Sequence, residues 1–138
     1  MCCARRACGP NDPPRDGPRA VTLFREVAEE GETHAYNWLG DLYANGEALP
    51  RNYDEALKWY REGARHGDPG ALYQLGKAYQ TGKGVPGDTT QALMWYMLSD
   101  REGYKYAGDR VAELSSAADP ATIGNAERLA DAWQRGNP

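Results

Sequence analysis

The chain has 138 residues, 41% hydrophobic and 26% charged, which is ordinary for one folded domain. A formal net charge of −4 disfavours nonspecific binding to nucleic acid or anionic membrane, although a local basic patch would escape that count. No stretch approaches the ~18 apolar residues of a membrane span, and the start lacks the apolar run of a secretory signal.

Residues 1–17 are rich in arginine, proline and glycine and contain Cys2, Cys3 and Cys8. Cys2 and Cys3 are adjacent and no C-x-x-C spacing occurs, so this segment reads as a flexible tail rather than part of a zinc or redox site. No cofactor or metal is expected. The sequence as given implies a cytoplasmic protein, and an exported one if its N-terminus is incomplete.

From residue 18 onward, apolar periodicity, caps and glycine stops predict helices over 18–30, 33–45, 53–66, 69–81, 89–102, 105–116 and 120–135. In the second of these, Ala35, Leu39, Leu42 and Tyr43 fall on one stripe, and Ala71, Leu75, Ala78 and Tyr79 repeat it two helices later. Gly40 and Gly76 lie beside the stripe, where a neighbouring helix is expected to come close. Asn52 followed by Glu55, and Asp88 followed by Gln91, have the spacing of a capping box. Asp16 stands in the same register. Gly31, Gly67 and Gly103 suit left-handed residues past helix ends, and Asp68-Pro69 reads as an N-cap with proline at the first helical position. Asp119-Pro120 opens the last helix, with Ile123, Ala126, Leu129, Ala130 and Trp133 on its apolar side.

These elements repeat. Setting 35–67 against 71–103 pairs twelve identical residues at an offset of 36 without a gap, among them Leu39 with Leu75, Trp59 with Trp95 and Tyr60 with Tyr96. A period of this length is the signature of a solenoid, in which each unit buries its apolar face against its neighbours. Trp59, Tyr60, Trp95 and Tyr96 are then expected mainly to hold the units together. Asp100 falls in the register of Ala28 and Ala64, on the packing side. Its carboxylate is expected to pair with Lys105, Arg101 or Arg110, or to be partly exposed near the end of its helix.

The pattern Ala35-x-x-x-Leu39-Gly40-x-x-Tyr43-x-x-Gly46-x-x-x-Pro50, continued by Tyr53-x-x-Ala56-x-x-Trp59-Tyr60-x-x-x-Ala64-x-x-Gly67, resembles the Sel1-like repeat family. The unit from Ala71 to Gly103 resembles it too, with Thr89 replacing the loop tyrosine and Asp100 the late alanine. Residues 20–31 look like the second helix of an earlier unit, and the last helix is similar to the terminal cap of many bacterial members. The resemblance implies an all-α, right-handed superhelix of antiparallel helix pairs used as a protein-interaction scaffold. A repeat domain over 18–138 is expected, with a partial repeat at 18–31, repeats at 32–67 and 68–103, and a cap at 104–138.

In a solenoid the first helices of successive units line the concave face. At 100° per residue, Asn37 and Asp41 lie opposite the apolar stripe, and the register adds Tyr73 and Lys77, then Asp109 and Glu113. This ladder, flanked by Trp38, Gln74 and Arg110, is the candidate site for a protein or peptide partner. A solvated helix face is the alternative at each position. Gly82-Lys83-Gly84 lacks the full phosphate-loop pattern and reads as a connector. His34 and His66 have no second histidine or cysteine at metal spacing and read as surface or capping residues. No G-x-S-x-G or H-E-x-x-H is present. The chain therefore reads as a non-enzymatic interaction module that binds neither nucleic acid nor cofactor. A structural segment of a longer solenoid is the alternative, and an unfamiliar hydrolase stands behind both.

Overall fold

The computed structural model describes residues 17–46 and 49–136. The chain forms seven helices in succession: α1 (Gly17–Glu29), α2 (His34–Asn45), α3 (Tyr53–Arg65), α4 (Pro69–Thr81), α5 (Thr89–Arg101), α6 (Ala107–Ala117) and α7 (Pro120–Gly136). Among the described residues there is no strand, and no helix is long and apolar enough to cross a membrane. The expected tail, with its three cysteines and the cap at Asp16, lies outside the described residues.

Helix ends follow the chemistry of their caps. Asn52 accepts from the Glu55 amide at 3.2 Å, Asp68 from Ala71 at 3.0 Å, and Asp88 from Thr90 and Gln91 at 3.0 and 3.2 Å. Gly31, Gly67 and Gly103 take positive φ of 107°, 79° and 92°, which satisfies the last carbonyls of α1, α3 and α5. The expected return half of the capping box is replaced. The Asn52 and Asp88 amides donate instead to the carbonyls of Tyr43 and Tyr79, at 2.9 and 3.0 Å, closing each repeat's loop onto its own first helix. The helix expected from residue 105 begins at Ala107, because Tyr104 stands where Asp68 caps α4 and offers no carboxylate.

Adjacent helices pack in sequence, and one side-chain device joins each pair. A Cβ on Gly40 would lie 2.3 Å from the Tyr60 ring, and one on Gly76 2.6 Å from the Tyr96 ring. The two glycines thus let α3 rest on α2 and α5 on α4 through a buried tyrosine. The core runs through Leu57, Tyr60, Leu72, Leu75, Leu93 and Leu98. Ser99, fully buried, donates to the Pro69 carbonyl at 2.8 Å and ties α5 to the start of α4.

At the C-terminal end the register continues as Ala112 and Ala132, so the glycine–tyrosine contact is missing. There α7 packs chiefly on α5 rather than on α6, with Trp133 edge-on to Trp95 at 4.9 Å between ring centroids. Asp119 caps α7 through the Thr122 amide at 2.8 Å, and Ala126 and Ala130 are fully buried.

The expected pairing of Asp100 is not formed. Arg101 pairs with Asp131 at 3.0 Å, Arg110 with Glu113 at 3.0 Å, and Lys105 lies over the Tyr106 ring. Asp100 is exposed, although its register counterparts Ala28 and Ala64 are buried. Leu72 stands eight residues after Ala64, whereas Gly108 stands eight residues after Asp100. The missing side chain leaves the carboxylate room, its Oδ1 lying 3.2 Å from where a Cβ on Gly108 would be.

Candidate partner-binding face

The ladder residues sit on α2, α4 and α6, the first helices of their units. Asp41 is half-buried and accepts from the Tyr60 hydroxyl at 2.6 Å. Burial raises its pKa above the usual carboxylate value, against the opposing pull of the Tyr60 hydrogen bond and the positive charge of Lys77. Burial and the Asp41 carboxylate together push the Tyr60 hydroxyl well up, so it stays a donor. Asp41 and Lys77 are therefore electrostatic neighbours across α2 and α4.

The next step of the ladder is aromatic. Tyr73 packs against Tyr96 at 5.3 Å and against Tyr104 at 4.9 Å between centroids, and Tyr104 meets Tyr106 edge-on at 5.6 Å. Arg110 Nε donates to the Tyr73 hydroxyl at 3.2 Å, while its Nη1 bonds both Glu113 oxygens at 3.0 and 3.1 Å. Burial first, then the nearby Tyr73, Tyr106, Asp41 and Asp68, raises the Tyr104 pKa. This places Asp41, Tyr73 and Tyr104 in one neighbourhood. Lys77, Asp109 and Glu113 are exposed, and Tyr73, Gln74 and Arg110 half-buried.

Two of the expected site residues are engaged elsewhere. Asn37 is half-buried against Gly70, with Oδ1 lacking a hydrogen-bond partner in the structure. Trp38, 43% exposed, leans on Phe24 of α1 with centroids 5.5 Å apart, at the start of the stack rather than between α2 and α4.

Sequence reasoning missed two groups near this face. Tyr104 had no signal beyond an unusual residue at the Asp68 position. His34 was read without its partner: its Nδ1 donates to Oδ1 of the buried Asp68, which also caps α4, so one carboxylate joins the starts of α2 and α4. His66 is exposed and stacks on Tyr36, which in turn stacks on Trp59 at 6.2 Å. Gly82-Lys83-Gly84 forms the connector between α4 and α5, with Gly84 against Tyr53 and Leu57. Among the described residues, no group of three or more His, Cys, Asp or Glu side chains is placed to hold a metal.

Two units with the same cap on their second helices, the same glycine–tyrosine contact and the same loop closure define a repeat by geometry as well as by sequence. The profile of the Sel1 repeat matches residues 33–68 and 69–97. The chain is a Sel1 repeat protein. Its fold is similar to that of c5321, described as a protective antigen present in uropathogenic Escherichia coli strains displaying an SLR fold. That similarity has a TM-score of 0.77 at 25% identity over 88% of this chain. It is also similar to a Sel1 repeat protein from Oxalobacter formigenes, with a TM-score of 0.65 at 28% identity over 79% of this chain. The chain spans 27% of the first of those structures and 48% of the second. A comparison with curated protein sequences returned no match. Sel1 repeats are helical modules that serve generally as protein-interaction scaffolds.

Proposed function

We propose that this Sel1 repeat domain is a non-enzymatic interaction module that binds a peptide or protein segment along α2, α4 and α6. The partner would lie across Asp41, Tyr73, Gln74, Lys77, Asp109 and Glu113. The observation that carries the reading is the continuity of this face. Asp41 and Lys77 are electrostatic neighbours, and Tyr73 links through Arg110 to Glu113, so charge and aromatic area alternate along α2, α4 and α6. Tyrosines offer a partner large contact area at small entropic cost, and alternating charges favour one register of a bound chain.

The test is a charge-reversed ladder, Lys77→Glu with Asp109→Lys and Glu113→Lys, at three exposed positions. The variant should melt like the native domain, since exposed ion pairs contribute only about 0–1 kcal/mol. It should also lose most of its capture of a verified partner. Undiminished capture by the folded variant rules the face out.

A further inference from the structure

The two repeats differ at one place that their common register exposes. Between the end of α2, the first half of α3 and α4 lies a cleft of about 150 Å³, whose lining includes Ala44, Leu57, Tyr60, Gln74, Lys77 and Lys83. A cavity on the order of 150 Å³ admits a benzene-sized group, so there is room for one apolar side chain.

One register step on, 36 residues later, Gln80 stands in place of Ala44, Arg110 in place of Gln74, Glu113 in place of Lys77 and Asp119 in place of Lys83. There each group is used within the chain. Gln80 accepts from the Tyr96 hydroxyl at 2.6 Å, Arg110 and Glu113 pair with each other, and Asp119 caps α7. At the cleft itself the equivalent positions stay open. Ala44 is too short to meet Tyr60, whose hydroxyl turns to Asp41 instead. Neither Lys77 nor Lys83 has a described carboxylate at ion-pair distance. Lys77 feels the charge of Asp41, but that carboxylate is already engaged by Tyr60. Two lysines thus rim an apolar cleft in a chain whose net charge is −4, and acids stand at both positions one register step later.

We propose that this cleft receives an apolar side chain of a partner segment whose flanking residues are acidic, with Lys77 and Lys83 meeting the flanking carboxylates. The proposal rests on the reading of α2, α4 and α6 as the partner face and names the chemistry of what binds there. Apolar burial supplies affinity, and the lysines select against a basic or neutral flank.

The test uses the full chain and a fluorescein-labelled synthetic peptide with one leucine between glutamate flanks, read by fluorescence anisotropy. Two companion peptides replace the leucine with alanine or the glutamates with lysine. The next register step supplies the variant, Ala44→Gln with Lys83→Asp, which fills the cleft and reverses charge on its rim with residues the chain carries 36 positions later. The acidic leucine peptide should bind saturably, weakening with added salt as screening predicts. Its affinity should fall about tenfold or more in the variant and on changing leucine to alanine, and the lysine-flanked peptide should not bind. A second variant, Glu127→Lys on the exposed side of α7, leaves the cleft intact and should keep the affinity within about twofold. Absence of saturable binding by the acidic peptide, equal binding of the lysine-flanked one, or unchanged affinity in a folded Ala44→Gln, Lys83→Asp variant overturns the proposal. Those outcomes leave the wider face untouched, because that reading fails only if the charge-reversed ladder still captures a verified partner.

Discussion

Replacing Gly76 with alanine sets two opposed effects against each other inside one helix. Alanine is favoured over glycine in a helix interior by about 1 kcal/mol, so propensity alone predicts stabilisation. The new Cβ, however, would lie 2.6 Å from Cδ1 and 2.7 Å from Cε1 of Tyr96. Carbon atoms settle at about 3.5–4.0 Å, so the ring or the helix has to move by roughly 1 Å. Tyr96 is fully buried and its hydroxyl is held by Gln80 at 2.6 Å, which leaves the ring little freedom to retreat. Overpacking of this kind costs about 1–3 kcal/mol, and net destabilisation of about 0–2 kcal/mol follows once propensity is subtracted. The matched control is Gly124→Ala in α7, where the added methyl meets nothing closer than an Arg128 nitrogen at 3.8 Å. That change should stabilise by up to about 1 kcal/mol. Urea denaturation followed by circular dichroism measures both, with a shifted midpoint at constant slope as the readout. A Gly76→Ala midpoint raised as much as that of Gly124→Ala would refute the claim that the glycine exists to admit the tyrosine.

Trp95→Ala removes a buried indole that faces Trp133 and should cost about 3–5 kcal/mol, seen as a much lower melting midpoint. If stability survived while partner binding vanished, that tryptophan would belong to the binding site instead. Asp100→Ala should leave the denaturation midpoint nearly unchanged and show no coupling to Arg101 in a double-mutant cycle, because the carboxylate is exposed and unpaired with that base. Asp41 has a raised folded-state pKa, so the native state holds its proton more tightly than the unfolded chain does. Stability should therefore fall as pH rises from the unfolded value of 3.8 through the folded one, and Asp41→Asn should flatten that part of the pH–stability curve. A slope that the substitution leaves unchanged refutes the assignment. Asp119 has the opposite sign: its pKa is lowered by the Thr122 amide, so its capping contribution is present above 3.8 and lost as pH falls through the depressed value. Carboxyl titration followed by NMR should place Asp119 below the ordinary range and Asp41 above it.

The fold was legible because its rules are local and repeated. A glycine opposite a tyrosine, an Asn or Asp cap and a left-handed glycine stop recur in one register, and each has its own steric or hydrogen-bonding reason. Legibility ended where contacts join residues that no local rule relates. The His34–Asp68 bridge crosses from one unit to the next, and the capping-box return was supplanted by a carbonyl of the preceding helix. For Asp100 the sequence left pairing and exposure both open, and exposure holds because Gly108, with no side chain, turns a packing position into an open one. The terminal helix was legible as an element, yet its seat on α5 follows from a glycine–tyrosine pair that becomes Ala112 and Ala132. For the candidate face, helix geometry gave the residues, but only the structure gave their engagements: Tyr60 on Asp41, Arg110 on Tyr73, and Trp38 on Phe24.

Site-specific photo-crosslinking tests the central claim most directly, because it requires no prior identification of the partner. A benzophenone side chain placed at Gln74, on α4 and lining the cleft, is compared with the same group at Glu127, exposed on α7. Both variants should fold with native circular dichroism. In cells expressing them, irradiation should give a discrete covalent adduct from position 74 and none from position 127. Equal adducts from both positions, or an adduct from position 127 alone, would contradict the assignment of the α2, α4 and α6 face as the place where this Sel1 repeat protein meets its partner.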